Sequence, residues 1–390
     1  MEREMWHPYA ARLLAVLQAA GLAQRPELQR AYWACPRHVF IDHSYAYDAT
    51  TYTWHHEAVP DDPVSDVGWL DKVYRDEALV VRVDVSGIPS SVNTAPSLAF
   101  RVLDWLGVNA GDRVLEVGTG TGQLAGMLGE LAGSSGRVVS LEADAQLADS
   151  AQRRLARSDP RAPTAVVQAD ALSWKPGEER FDAVIATGSC WPVPEGWLAN
   201  LAPGGRLCVE LRGRLAGALL LARRHGNGSG ESGLTGTFND KLAGFIPLRR
   251  QQEWSGEPLE LLLDFVFDEV GRMPADGLGV QQLITSSFAW YCQLEMPGTS
   301  LIFMPPGEDG KLEPYLQTDD GMDAVRLPDD GTMPDAELVS FGGVHDLMKR
   351  LASAWRDWQA YGRPAPTEYS FSLADDGRQT VRCDGRAWRL

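Results

Sequence analysis

Between Arg101 and Leu221 the chain alternates short β-rich runs with segments of helical length, and this alternation leaves few folds open. The β-rich runs are 113–117, 137–142, 165–168, 181–186 and 206–211, with helical candidates at 123–132 and 144–157 between the first three. Parallel neighbours cannot be joined by a tight turn; they need a crossover of about a dozen residues, usually a helix. The spacing therefore predicts βαβ units in a parallel sheet covered on both faces, an α/β architecture.

The flanking regions read differently. Residues 11–17 have a helical pattern that stops near Gly21, and an aromatic- and histidine-rich stretch runs from Tyr32 to Trp69. His38, His43, His55 and His56 in that stretch match no metal-ligand spacing, so they are assigned to packing or substrate contact and no metal is expected. Residues 226–233, rich in Gly and Ser, read as a flexible linker. Beyond it come apolar runs at 259–266 and 278–292. A helix is expected over 343–361, with Leu347, Leu351, Trp355 and Trp358 at helical spacing. A hairpin is expected from 369–373 and 379–383 around Asp375-Asp376-Gly377. The expected division is an N-terminal helical element at 1–78, the α/β domain at 79–225 and a C-terminal α+β domain at 234–390. Trp254, Trp290, Trp355, Trp358 and Trp388 could line a peptide groove, but the area each would bury favours the core.

Composition narrows the function. The chain has 390 residues, enough for two domains, and a net charge of -17. From Gly226 onward 26 acidic side chains face 14 basic ones, which places -12 of the -17 there. Phosphate contacts need clustered Lys and Arg, so nucleic acid is disfavoured as a partner. Met1 to Trp6 has neither the basic nor the apolar region of a secretory leader, and the apolar stretch 215–222 is too short to span a bilayer. A cytoplasmic protein without membrane partners is the expectation. Five scattered cysteines without a CxxC pair suit neither a disulfide framework nor a zinc site.

The chemistry is concentrated in Glu116-Val117-Gly118-Thr119-Gly120-Thr121-Gly122, directly after one strand and before a helix. Glycines at alternate positions let the backbone turn sharply and let a ligand approach the main chain. In a parallel sheet this loop lies outside the carboxyl ends of the strands, where such folds bind ligands. Glu142 ends the second strand, where a carboxylate can accept from both hydroxyls of a ribose. Asp170 follows the third strand, within reach of an adenine amino group.

This order of motifs resembles the class I S-adenosylmethionine methyltransferases, including the turn Leu201-Ala202-Pro203-Gly204-Gly205 into the fifth strand. The resemblance implies a doubly wound, Rossmann-like sheet of seven strands with S-adenosyl-L-methionine over strands one to four. Cys35-Pro36-Arg37-His38-Val39-Phe40, Tyr74-Arg75-Asp76-Glu77-Ala78-Leu79 and Ser90-Ser91-Val92-Asn93-Thr94-Ala95-Pro96-Ser97 narrow it further. They look like the "VPRHxF", "DEPLPIG" and "TISQP" stretches of the protein-L-isoaspartate O-methyltransferase family, and Thr187-Gly188-Ser189-Cys190-Trp191-Pro192-Val193-Pro194 stands where that family has "TAAAPEIP". Thr94 aligns with the family's active-site serine and is the catalytic candidate. The cofactor contacts implied are Ser97, Glu116, Gly118, Thr119, Gly120, Gly122, Glu142, Asp170, Ala171 and Thr187. Two departures stand out: 81–89 replaces the family's "PIGxGQ", and Ala169-Asp170-Ala171 replaces "GDG".

The resemblance implies methylation of a peptide or protein carboxylate, Asp or isoAsp. Such an acceptor is already ionised at neutral pH, so no strong base is needed and the protein must mainly align the reactants. The long tail resembles relatives that act on ribosomal peptide natural products (lanthipeptides, graspetides and lasso peptides). These methylate one Asp, which then closes to an aspartimide and can open to isoaspartate. Protein repair is the alternative, and a non-catalytic peptide-binding module is a third reading. The oligomeric state is left open.

Overall fold

The computed structural model describes residues 5–175, 177, 179–225, 233–239, 244–248, 269–285, 287–304, 313–344 and 346–390. Its centre is a ten-stranded sheet. Five strands are parallel, in the order Thr164–Gln168, Arg137–Glu142, Arg113–Val117, Phe181–Ala186 and Leu201–Arg212. The middle three are almost wholly buried, as expected of strands covered on both faces. Helices Gln123–Ala132 and Ala145–Ser158 form two crossovers; Asp144 caps the second, accepting from the amides of Gln146 and Leu147.

The sheet then continues antiparallel through Gly217–Arg224, Leu234–Phe238, Ser370–Leu373, Gln379–Cys383 and Arg386–Arg389. The seven strands implied by resemblance are thus joined by three from the tail, and 234–390 does not stand apart as one unit. The physical reason is the open edge left by Leu234–Phe238: its backbone groups need partners, and Ser370–Leu373 supplies them. What does form separately in the tail is an antiparallel five-stranded sheet, ordered Glu269–Pro274, Glu337–Phe341, Ala324–Arg326, Glu313–Thr318 and Thr299–Met304. Helix Ser287–Glu295 is buried from Phe288 to Leu294 because it is clamped between the two sheets. Trp290 and Leu294 face the central sheet, while Phe288, Tyr291 and Cys292 join Trp355 and Trp358 of helix Leu347–Ala360.

The N-terminal boundary at 78 also shifts. Helices His7–Ala19 and Pro26–Ala34 are present, but a four-stranded antiparallel sheet follows, ordered Thr53–Ala58, His43–Asp48, Leu79–Val83 and Pro89–Asn93. Tyr45 pairs with Val80, so a cut at 78 would divide this sheet. His43 and His56 stack within it at 5.3 Å, while His38 packs against Trp6 and bonds to the Tyr74 hydroxyl at 2.6 Å. Trp290, Trp355 and Trp358 are buried and Trp388 packs against the core; Trp254, the run 259–266 and nearly all of the linker lie outside the described residues. Among the described residues, no helix is long and apolar enough to cross a membrane.

Candidate active site

The glycine loop turns as its sequence requires. Gly118, Gly120 and Gly122 all have positive φ, at +91°, +52° and +88°. At Gly118 a side chain is excluded twice over, because a Cβ would also stand 2.8 Å from the Thr187 hydroxyl. That hydroxyl donates to the Gly118 carbonyl at 2.7 Å, so strand Phe181–Ala186 and the loop are tied together at this point. The amides of Gly118 and Thr119 both reach the Leu141 carbonyl, at 2.9 and 3.1 Å.

The loop borders two cavities. The first is lined by Gly118, Gly120, Glu142, Asp170, Ala171 and Thr187 among others. Glu142 Oε2 accepts from the Gly120 amide at 2.8 Å and Oε1 from the Asp144 amide at 3.1 Å. Burial raises the Glu142 carboxyl above its usual range, and these amides oppose that shift by bonding the charged form. Each oxygen keeps a lone pair for a further donor. Asp170 Oδ1 accepts from the Leu172 amide at 2.9 Å, which fixes the turn after the third strand. Trp197 donates to the Ala171 carbonyl at 2.9 Å and so holds the same turn from below.

The second cavity is lined by Asn93, Thr94, Glu116, Thr119, Gln123 and Thr187 among others. Thr94 therefore lines a second cavity that shares Val92, Gly118, Gly120 and Thr187 with the one lined by Glu142 and Asp170. Glu116 is fully buried, and burial pushes its carboxyl up to about 8. It accepts from the Ser140 hydroxyl, which is 2.5 Å from the Thr119 hydroxyl. Its position supports the loop from beneath. Ser97 lines neither cavity: its amide begins helix Pro96–Leu106 and donates to Asp76 Oδ1 at 2.7 Å.

Two parts of the site were not legible as site residues. Arg37 is 1% exposed and has no carboxylate ion-pair partner among the described residues; its guanidinium donates to Asn93 Oδ1 at 2.7 Å and to the carbonyls of Val73, Arg75 and Glu77 at 2.7–2.9 Å. Burial lowers its pKa to about 10. Asn93 passes the constraint on, donating to Thr121 and Gln123 at 2.9 and 3.1 Å. Arg37 thereby fixes the strand end that presents Thr94. The second part is a strap, residues 244–248, whose Ile246, Pro247 and Leu248 wall the first cavity. Ser189 and the strap exchange backbone bonds with Ile246 and Leu248 at 2.9 and 2.8 Å. From below, the fully buried Glu210 carboxylate accepts from the amides of Gly244 and Phe245 at 3.2 and 2.7 Å. The clue in the sequence was the apolar run Phe245-Ile246-Pro247-Leu248, isolated between polar segments.

A family model described as protein-L-isoaspartate(D-aspartate) O-methyltransferase matches residues 57–248, which include both cavities and the strap. The chain is 30% identical over 173 residues to the protein-L-isoaspartate O-methyltransferase of Methanopyrus kandleri, covering 44% of this chain and 71% of that one. It is 33% identical over 165 residues to that of Methanoculleus marisnigri, covering 42% and 69%. The match to the Thermotoga maritima protein of the same name is 33% over 147 residues and spans only 45% of its length. A solved protein-L-isoaspartate O-methyltransferase structure superposes with a TM-score of 0.54 at 21% identity, over 96% of this chain and 99% of that one, and shares the fold. The chain belongs to the protein-L-isoaspartate O-methyltransferase family.

Proposed function

We propose that this chain is an S-adenosylmethionine-dependent carboxyl O-methyltransferase acting on an Asp or isoAsp side chain of a peptide. The observation that carries this is that Glu142 and Asp170 line one cavity and Thr94 a second, with Gly118, Gly120 and Thr187 shared between the two. The first cavity suits a nucleoside: Glu142 for the ribose hydroxyls, Asp170 for the adenine amino group, and Leu141, Leu172, Ile246 and Leu248 as apolar walls. Gly118, Gly120 and Gly122 leave the backbone bare for close approach, with Thr119, Ala171 and Thr187 completing the cradle. S-adenosylmethionine supplies an electrophilic methyl group on a sulfonium. The Thr94 hydroxyl orients the acceptor carboxylate by donating a hydrogen bond, Arg37 and Asn93 hold Thr94 in place, and the strap excludes water. Because the acceptor is ionised at neutral pH, no residue has to remove a proton before transfer.

For the acceptor, the finer reading is one Asp of a cyclised ribosomal peptide. Its support is the hairpin that replaces the family's "PIGxGQ" stretch. Residues 84–88 form its tip, with Val85 82% and Ile88 45% exposed, and it leads into Ser90 and Ser91 on the wall of the first cavity. An apolar tip there suits a shaped acceptor better than the varied sequences of damaged proteins. After methyl transfer, the following backbone amide nitrogen attacks the ester carbonyl and methanol leaves, giving an aspartimide that water opens to isoaspartate. Repair of isoaspartyl proteins is the second reading. It is favoured by the solved isoaspartate methyltransferase that covers 96% of this chain, so the tail does not by itself single out a natural product.

The test is mass spectrometry of a cyclised, Asp-containing peptide beside an isoaspartyl peptide. Gain of a methyl group and loss of methanol on the cyclised peptide alone is the expected result. Methylation of the isoaspartyl peptide alone would establish repair, and methylation of neither with no S-adenosylhomocysteine binding would remove the enzyme reading.

A further inference from the structure

The antiparallel half of the central sheet has one face that methyl transfer does not use. Its other face is packed on Trp290 through Phe238 and Phe371. On the free face the register sets out a row: Arg206 opposite Arg223, then Thr235, Ser372, Thr380 and Arg389, each directly opposite the next. Directly opposed residues project to the same side of a sheet, so this row crosses six strands and, at about 4.8 Å per strand, runs about 24 Å. A parallel row two residues along holds Cys208, which is buried, then Leu221, Thr237, Ser370, Arg382 and Ala387.

The two rows hold four arginines, five hydroxyl side chains, a leucine, a cysteine and an alanine, and no carboxylate. Arg223, Arg382 and Arg389 are exposed, and none has a carboxylate partner among the described residues. Arg206 is committed to Asp112 and the Gly107 carbonyl. Trp105 walls the Arg206 end of the trough, with Arg101 over its ring at 5.8 Å. A solvated sheet face needs polarity but no one sign of charge. Here the three exposed charges of the rows, Arg223, Arg382 and Arg389, are all positive, on a chain of net charge -17 whose second part is the more acidic.

We propose that this face binds an acidic, extended segment of the peptide substrate, separate from the segment that enters the methyl-transfer site. The inference rests on the reading of the acceptor as a peptide. Arginines can pair with carboxylates in two-point fashion, and the hydroxyl row can bond either a peptide backbone or an acidic side chain. About seven extended residues would span the row. A nucleic acid offers the same sign of charge, but the net charge of the whole chain would repel a long polyanion. Arg206 stands six positions before Arg212 on strand Leu201–Arg212, so the row lies roughly 20 Å from the strand end nearest the strap. A substrate held at both places would be bound at two points, which raises its effective concentration at the reacting site.

The test uses the full chain and a fluorescein-labelled octaglutamate, followed by fluorescence anisotropy without methyl donor. Saturable, salt-sensitive binding is expected, and Arg223→Glu/Arg382→Glu should weaken it by about tenfold or more. Thr235→Glu adds a charge at the row centre without removing an arginine and should weaken it in the same direction. In methylation assays a Glu-rich extension on the acceptor should lower KM several-fold for the wild type. That gain should vanish in the double variant, whose kcat and KM for the unextended acceptor stay at wild-type values. Absence of octaglutamate binding, equal binding by the variants, or tighter binding of a single-stranded DNA of equal charge would overturn the proposal. Because anisotropy needs no turnover, a failed methylation assay with intact octaglutamate binding would count against the methyltransferase reading and not against this surface.

Discussion

The strap can be tested through the residue that holds it, Glu210. The Glu210 carboxylate accepts from the amides of Gly244 and Phe245 and from the Arg212 guanidinium at 2.9–3.0 Å. Glu210→Gln keeps the shape and one acceptor oxygen but removes the charge. Hydrogen bonds to charged groups contribute about 1.5–3 kcal/mol against about 0.5–1.5 kcal/mol for neutral ones, so the amide that keeps the oxygen loses about 1 kcal/mol, and the amide left facing the new NH2 group loses its acceptor, about 1 kcal/mol or more. Strap docking then weakens by about 2 kcal/mol, a factor of about 30. A ligand that binds only the closed cleft can lose no more than that factor. Isothermal titration calorimetry with S-adenosylhomocysteine should therefore show a Kd raised between about threefold and about 30-fold. Arg212 loses its charged partner as well, so thermal unfolding must accompany the titration to show that the variant is folded. Gly188→Ala is a check from the opposite side: its Cβ would overlap Leu248 Cδ2 and Cγ, so the Leu248 side chain of the strap must shift while Glu210 stays intact. Folded variants that both bind S-adenosylhomocysteine with the wild-type Kd would refute the reasoning.

Three further outcomes are expected. Arg37→Lys leaves at most three donors where the guanidinium fills four short contacts, so urea unfolding should show a loss of about 3 kcal/mol or more, and an unchanged midpoint would contradict the clamp. Thr94→Val keeps the side-chain shape without the hydroxyl; kcat should fall by about 10² while S-adenosylhomocysteine affinity holds, and Thr94→Ser should retain activity. Glu116 titrates near 8 when folded and near 4.3 when unfolded, so the folded state keeps a proton that the unfolded chain has lost and stability falls as pH rises through that window. Glu116→Gln mimics the protonated acid and should flatten the dependence of Tm on pH between about 5 and 8; an unchanged slope would show that Glu116 does not carry it.

The parallel strands were legible because burial on both faces demands continuous apolar runs, and three of them were delimited to the residue. Glu142 and Asp170 were legible for a related reason: a carboxylate following such a run marks the strand end at which ligands bind. The fifth strand was read too short. Pro203-Gly204-Gly205 has turn chemistry, yet the strand begins at Leu201, across a register shift against Phe181–Ala183. Arg37 and Glu210 were missed as site residues because their partners are main-chain atoms, which carry no signature in a sequence. Ser97 is held at its helix start by its amide, a bond to Asp76 that any residue type could make and that carries no signature in a sequence. Pairings such as Leu234 with Leu373 join segments with a whole sheet between them, and local periodicity cannot report them.

That last pairing has a consequence for how the molecule is made. The strand that follows Gly217–Arg224 offers a bare edge until Ser370–Leu373 arrives, and residues 269–361 must be synthesised before it does. Contacts so distant in sequence carry a high loop-closure entropy and slow folding. During vectorial synthesis the methyl-donor half can pack early, while its open edge stays available for pairing with other chains. The tail is therefore the piece that closes the nascent enzyme against self-association, and its loss would be felt first as insolubility rather than as altered chemistry.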